Sequence, residues 1–103
     1  MGKFSRDKGY RTENNIRKKA DVHGLHAYRV PLSGGASIKG DVVVSAKSGA
    51  DEWVLEIKCR AEGFKNLYKW KGEHDGLVIK ADRQPELILI DLDDFFELLG
   101  NQK

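Results

Sequence analysis

The stretch Glu52-Trp53-Val54-Leu55-Glu56-Ile57-Lys58-Cys59-Arg60 decides the reading of this chain. Its period is two: Trp53, Leu55, Ile57 and Cys59 fall on one face, and Val54, Glu56, Lys58 and Arg60 on the other. A buried face backed by a polar one is what a strand needs in an antiparallel sheet with one working side. Just upstream, Asp41-Val42-Val43-Val44-Ser45 is β-branched and reads as a partner strand, with Ala46–Asp51 as the turn of a hairpin. Glu56 and Lys58 then project side by side, roughly 7 Å apart along the strand, and the hairpin brings Asp41 opposite them.

Outward from the hairpin the elements are short. Residues Asp7 to Val22 predict a helix, with Tyr10, Glu13, Ile16 and Ala20 on one stripe and Gly24 as its left-handed cap. Glu13 is the anomaly, a carboxylate on an apolar stripe. Ala27–Leu32 is extended and runs into the loop Ser33-Gly34-Gly35-Ala36-Ser37. Glu62 to Gly72 predicts a helix carrying Phe64, Leu67 and Tyr68 on one side. Gly76–Ala81 and Glu86–Ile90 predict strands, the second apolar on both faces and so expected to be covered on both. A last helix, capped by Asp91 or Asp93, runs through Leu99 to Gly100. The order is α-β-β-β-α-β-β-α, an α/β protein.

At 103 residues the chain is expected to be one domain, 1–103. Its formal charge of +2 conceals an asymmetry. Residues 1–30 carry eight Lys/Arg against three acids, and residues 81–103 carry two against six. A basic N-terminal third beside an acidic end points to a polyanion met on one side only. No apolar run approaches the roughly 20 residues of a membrane span, so no membrane association is expected. The start lacks the apolar core of a secretory signal, and Arg6 spoils the myristoylation pattern. The single cysteine, Cys59, cannot form an internal disulfide and suits a reducing cytoplasm. It reads as a small core residue.

Two carboxylates, Asp41 and Glu56, make a hard oxygen-lined site suited to Mg²⁺, with Mn²⁺ as a substitute, rather than zinc. Such an ion polarises a phosphoryl oxygen and acidifies bound water. Lys58 is placed to orient or deprotonate that water, or to stabilise charge on the phosphate. The chemistry implied is phosphodiester hydrolysis.

Gly40-Asp41 followed by Glu56-Ile57-Lys58 resembles the signature of the PD-(D/E)XK nuclease superfamily. With Arg11-Thr12-Glu13 on the first helix and Arg29-Val30 before the Ser-Gly-Gly loop, residues 5–81 resemble the archaeal-type Holliday junction resolvases, in a compact form similar to phage or viral variants. Gly40 stands where the superfamily name has proline. The resemblance implies a restriction-endonuclease-like core, a mixed central sheet flanked by helices. It implies Asp41 and Glu56 as metal ligands, the Ile57 carbonyl as a third, and Lys58 as the catalytic lysine. Glu13 would approach the metal from the helix, and Ser33 would lie near the scissile phosphate. It further implies a homodimer that nicks opposed strands of a four-way junction, in the cytoplasm of an archaeal, bacterial or phage-infected cell.

Plainer readings stand beside these. Asp41, Glu56 and Lys58 also suit a salt-bridged strand face, Glu13 also suits an i+4 pair with Arg17, and Ser33 also suits a turn. Lys3, Arg6, Lys8, Arg11, Lys18, Lys19 and Arg29 suit a solubilising face as well as phosphate contacts. Arg60 shares the strand face of Lys58, and Lys39, Lys65 and Lys69 are further candidates for DNA binding. Tyr68 and Trp70 suit packing on the sheet more than stacking on bases. The apolar segment Leu87–Ile90 with Phe95, Phe96, Leu98 and Leu99 either closes the core or builds a dimer surface, and the dimer surface is the expectation. The expectation is a metal-dependent, structure-selective DNA endonuclease. The alternatives are a homing or restriction enzyme of the same superfamily, a non-catalytic nucleic-acid-binding module, or a structural dimer.

Overall fold

A computed structural model describes residues 2–30, 41–49 and 51–101, and for residues 2–10 the backbone alone. The order of elements is the expected one: α1 (Gly2–Val22), β1 (His26–Arg29), β2 (Val42–Ser45), β3 (Trp53–Leu55), α2 (Lys65–Lys71), β4 (Gly76–Ile79), β5 (Leu87–Ile90) and α3 (Leu92–Gly100). They divide between two compact units, one of residues 1–59 with 96–103 and one of residues 60–95. Among the described residues no helix is long and apolar enough to cross a membrane.

In the first unit, α1 begins earlier than its apolar stripe requires and ends where Gly24 permits. Gly24 sits at φ +76°, its N–H donates to the Asp21 carbonyl, and the Leu25 N–H reaches back to Ala20. These two bonds form a Schellman motif, and Ala20 and Leu25 supply its apolar contact, both being buried. The chain therefore leaves α1 turned directly into β1. Strands β1, β2 and β3 form one antiparallel sheet in that order. Arg29 pairs with Val42 and Val42 with Leu55, while Tyr28 pairs with Val43 and Val43 with Val54. Val42, Val43 and Val44 are all buried, so β2 is covered on both faces. The same core takes Ala20, Leu25, Val30, Phe96 and Leu99, with Phe96 set edge-on to the His23 ring at 6.1 Å between centroids.

In the second unit, β4 and β5 pair antiparallel, Gly76 opposite Ile90 and Ile79 opposite Leu87. Gly76 allows this approach, since a Cβ there would stand 3.0 Å from Ile90 Cγ2 and 3.3 Å from Ile88 Cδ1. The connection turns through Ala81–Gln84, where the Gln84 N–H donates to the Ala81 carbonyl and Arg83 adopts φ +63°. Helix α2 is held by Lys71, whose Nζ reaches the His74 carbonyl at 2.8 Å and Asp91 Oδ1 at 3.2 Å.

Several expectations need correction. The described strands form two separate antiparallel sheets, not one mixed sheet. The predicted strand Glu52–Arg60 closes at Leu55, because past that point the partner's acceptor is a side chain, as described below. Trp53 is half-exposed and not buried. Leu87 and Ile88 are exposed where covering on both faces was expected; among the described residues β5 belongs to a two-stranded sheet with β4. Tyr68 and Trp70 are exposed rather than packed on the sheet, on a two-turn helix none of whose residues is buried.

Candidate active site

The site is organised by Asp41. In a regular strand a residue's N–H and C=O point to the same neighbour, but those of Asp41 diverge. Its carbonyl accepts from the Val30 N–H, and its own N–H donates to the Leu55 carbonyl, both at 2.9 Å. Leu55 is already the register partner of Val42, so two consecutive residues face one, which is a β-bulge. With the backbone so placed, the Asp41 side chain turns to the segment that follows β3. Its Oδ2 accepts the Ile57 N–H at 2.7 Å, in the place of a ladder carbonyl. That bond anchors the carboxylate at the backbone between Glu56 and Lys58.

Glu56 and Lys58 meet as the alternation requires, with Lys58 Nζ 3.2 Å from Glu56 Oε2 and each side chain 57% exposed. Beyond the end of β3 the alternation persists: Ile57 and Cys59 are half-buried, while Glu56, Lys58 and Arg60 are exposed. Cys59 Sγ lies 3.4 Å from Thr12 Oγ1, which marks the Ile57–Cys59 side as the one facing α1.

Glu13 belongs to that helix side. Arg29 Nε donates to Glu13 Oε1 at 2.7 Å, and the two side chains are 27% and 17% exposed. This accounts for a carboxylate on the apolar stripe. Its i+4 neighbour Arg17 donates instead to Asn14 Oδ1 at 2.6 Å. The structure does not gather Glu13 with Asp41 and Glu56: among the described residues, no three His, Cys, Asp or Glu form a metal-holding group. The acids divide into an anchored Asp41 beside the Glu56–Lys58 pair, and a Glu13 committed to Arg29.

Ser33 and Lys39 lie outside the described residues, as does most of the loop that carries them. Lys3, Arg6 and Lys8 fall on the first half of α1, and Arg11 and Lys18 are exposed farther along it, with Lys19 half-buried. Arg29 serves Glu13 and is not simply presented to solvent. Lys65 and Lys69 are exposed on α2 in the second unit, Lys65 within 3.6 Å of Glu62. Sequence reasoning missed the bulge at Asp41 and the Thr12–Cys59 contact. The first had a faint signal in an acid placed just before an all-valine strand, and the second had none.

Asp41 and Glu56 offer the donors a small hard cation prefers. Mg²⁺ is commonly held by one or two carboxylates and completes its shell with water, and a carboxylate has about four acceptor positions, of which the Ile57 bond uses one. The donor types of these two residues suit such an ion, although the described residues gather no three acids around one point. No family model, no curated protein and no solved structure matches this chain.

Proposed function

We propose that this protein is a Mg²⁺-dependent, structure-selective DNA endonuclease that resolves four-way junctions as a homodimer. The observation that carries the reading is the Asp41–Ile57 bond, which fixes one carboxylate at the backbone beside the Glu56–Lys58 pair. A carboxylate used only as a surface charge has no need of a bulge and a backbone anchor. Asp41, Glu56 and the Ile57 carbonyl would hold the metal, which supplies Lewis-acid activation of the phosphate and of water. Lys58, already within reach of Glu56, would neutralise charge developing on the phosphoryl oxygens. Glu13 acts through Arg29, setting the helix against the strand that leads towards Asp41.

In this reading the first unit is the catalytic half of a restriction-endonuclease-like core. The basic residues of α1 contact phosphates, and the exposed apolar side chains Leu87 and Ile88 of β5 supply the dimer contact. The reading places the protein in the cytoplasm, among DNA.

The test incubates the protein and Glu56→Gln with a four-way junction and a linear duplex, each with and without Mg²⁺. Paired nicks in the junction that require both Glu56 and metal support the proposal. Cutting of linear duplex at one sequence moves it to a restriction or homing enzyme, and no metal-dependent cutting of any DNA overturns it.

A further inference from the structure

We infer that two copies of this chain meet through the open face of the β4–β5 ribbon, Val78 of each seated on the partner's Ile88. The inference rests on the homodimer proposed above and narrows its contact to one face. The register sets Val78 opposite Ile88, so the two side chains stand on the same side of the ribbon. They are 63% and 67% exposed, although both are apolar. Ile88 Cδ1 and Ile90 Cγ2 lie 3.3 and 3.0 Å from where a Gly76 Cβ would be, so Ile90 shares that face. Alternation places Ile79, Leu87 and Asp91 on the other face. Helix α2 lies against that other face: Leu67 and Trp70 line a groove with Ile79 and Leu87, and Lys71 pairs with Asp91. Leu87 borders the α2 groove, so Ile88 is the β5 side chain that carries the contact.

Charge complementarity selects a second copy. Lys80 and Glu86 continue the register past the ladder's last pair, adding one exposed cation and one exposed anion to the same face. Lys80 Nζ turns to the Ala81 carbonyl at 3.3 Å rather than to Glu86, and an ammonium keeps further donors to offer. A two-fold axis parallel to the strands carries β4 of one copy over β5 of the other and leaves every row at its own height. Val78 then meets the partner's Ile88, and Lys80 meets the partner's Glu86, each contact made twice. The face is its own complement in both its apolar and its charged row. Nucleic acid is a poor match, because Glu86 offsets Lys80 and Asp82 offsets Arg83 in the turn. A two-stranded ribbon is small against the roughly 1,200–2,000 Å² that stable interfaces bury. The association is therefore expected to be weak and concentration-dependent.

The experiment is sedimentation velocity on the full chain over a range of concentrations, at low salt and without DNA or Mg²⁺. Reversible dimerisation is expected. Ile88→Asp buries an unpaired charge and is expected to weaken it at least about tenfold. Lys80→Glu and Glu86→Lys each set like charges across the contact and are expected to weaken it about fivefold. Mixing these two variants is expected to restore association, as is joining both changes in one chain. Lys80 and Glu86 lie outside the ladder, so the charge variants read the contact even where Ile88→Asp disturbs the ribbon. A chain monomeric throughout, a dimer indifferent to these substitutions, or a mixture no better than its components overturns the inference. Junction cleavage is read separately with Mg²⁺. A dimer that behaves as expected yet cuts nothing sinks the nuclease proposal alone, and a cutting enzyme whose association ignores these variants sinks this inference alone.

Discussion

Arg29 Nε donates to Glu13 Oε1 at 2.7 Å, joining the middle of α1 to the last residue of β1. The pair is largely shielded, so removing one partner leaves the other desolvated without compensation. Glu13→Ala is expected to lower stability by about 2 kcal/mol, and Glu13→Gln by less, because the amide oxygen still accepts from Arg29. Urea denaturation reads both. A Glu13→Ala protein as stable as the parent would show that the pair does not hold α1 on the sheet.

The Asp41–Ile57 bond separates a structural from a catalytic role for the same carboxylate. In Asp41→Asn the side-chain oxygen still accepts the Ile57 N–H, so stability is expected to change by less than about 1 kcal/mol. The charge proposed to bind the metal is gone, and under that proposal junction cleavage is expected to fall by at least about a hundredfold. Asp41→Ala loses the bond as well and is expected to lose stability too. Retained cleavage in Asp41→Asn would remove Asp41 from the proposed metal site.

The hairpin was legible because period-two alternation is dictated by the pleat and survives in the sequence, even past the last ladder bond. The α1 terminus was legible for a similar reason, since few residues but glycine tolerate the backbone at Gly24. The partner of Glu13 was not legible. Arg17 and Arg29 are both arginines within plausible reach, and only the tertiary fold chooses between them. The strand end at Leu55 was equally hidden, because it depends on a side chain competing with a backbone carbonyl for the Ile57 N–H. The apolar run Leu87–Ile90 looked like a central strand because composition reports hydrophobicity and not neighbours. Its β4 partner covers one edge, and nothing in the residue types says how the faces are met.

Glu56 and Lys58 are each more than half exposed, so their ion pair is expected to contribute little to folding. A double-mutant cycle on Glu56→Gln and Lys58→Gln is expected to give a coupling below about 1 kcal/mol in urea denaturation. Each single variant is nevertheless expected to abolish junction cleavage. Stability loss in step with activity loss would assign the pair a structural role and weaken the nuclease proposal.

Lys71 is the opposite case, a lysine whose side chain is only 11% exposed while its partner Asp91 is 64% exposed. Its Nζ also donates to the His74 carbonyl, and His74 Nδ1 lies 2.9 Å from the Lys71 carbonyl, so the turn after α2 is closed around this residue. The asymmetry in burial predicts an asymmetry in cost. Asp91→Asn leaves an acceptor at an exposed position and is expected to be nearly neutral. Lys71→Met keeps most of the apolar stem but deprives the His74 carbonyl of its donor, at an expected cost of about 1–2 kcal/mol. Hydrogen exchange across Gly76–Ile79 and Leu87–Ile90 locates the effect: Lys71→Met is expected to speed exchange there and leave Val42–Ser45 unchanged. Equal costs for the two variants would mean that the ion pair, and not the carbonyl contact, holds the turn.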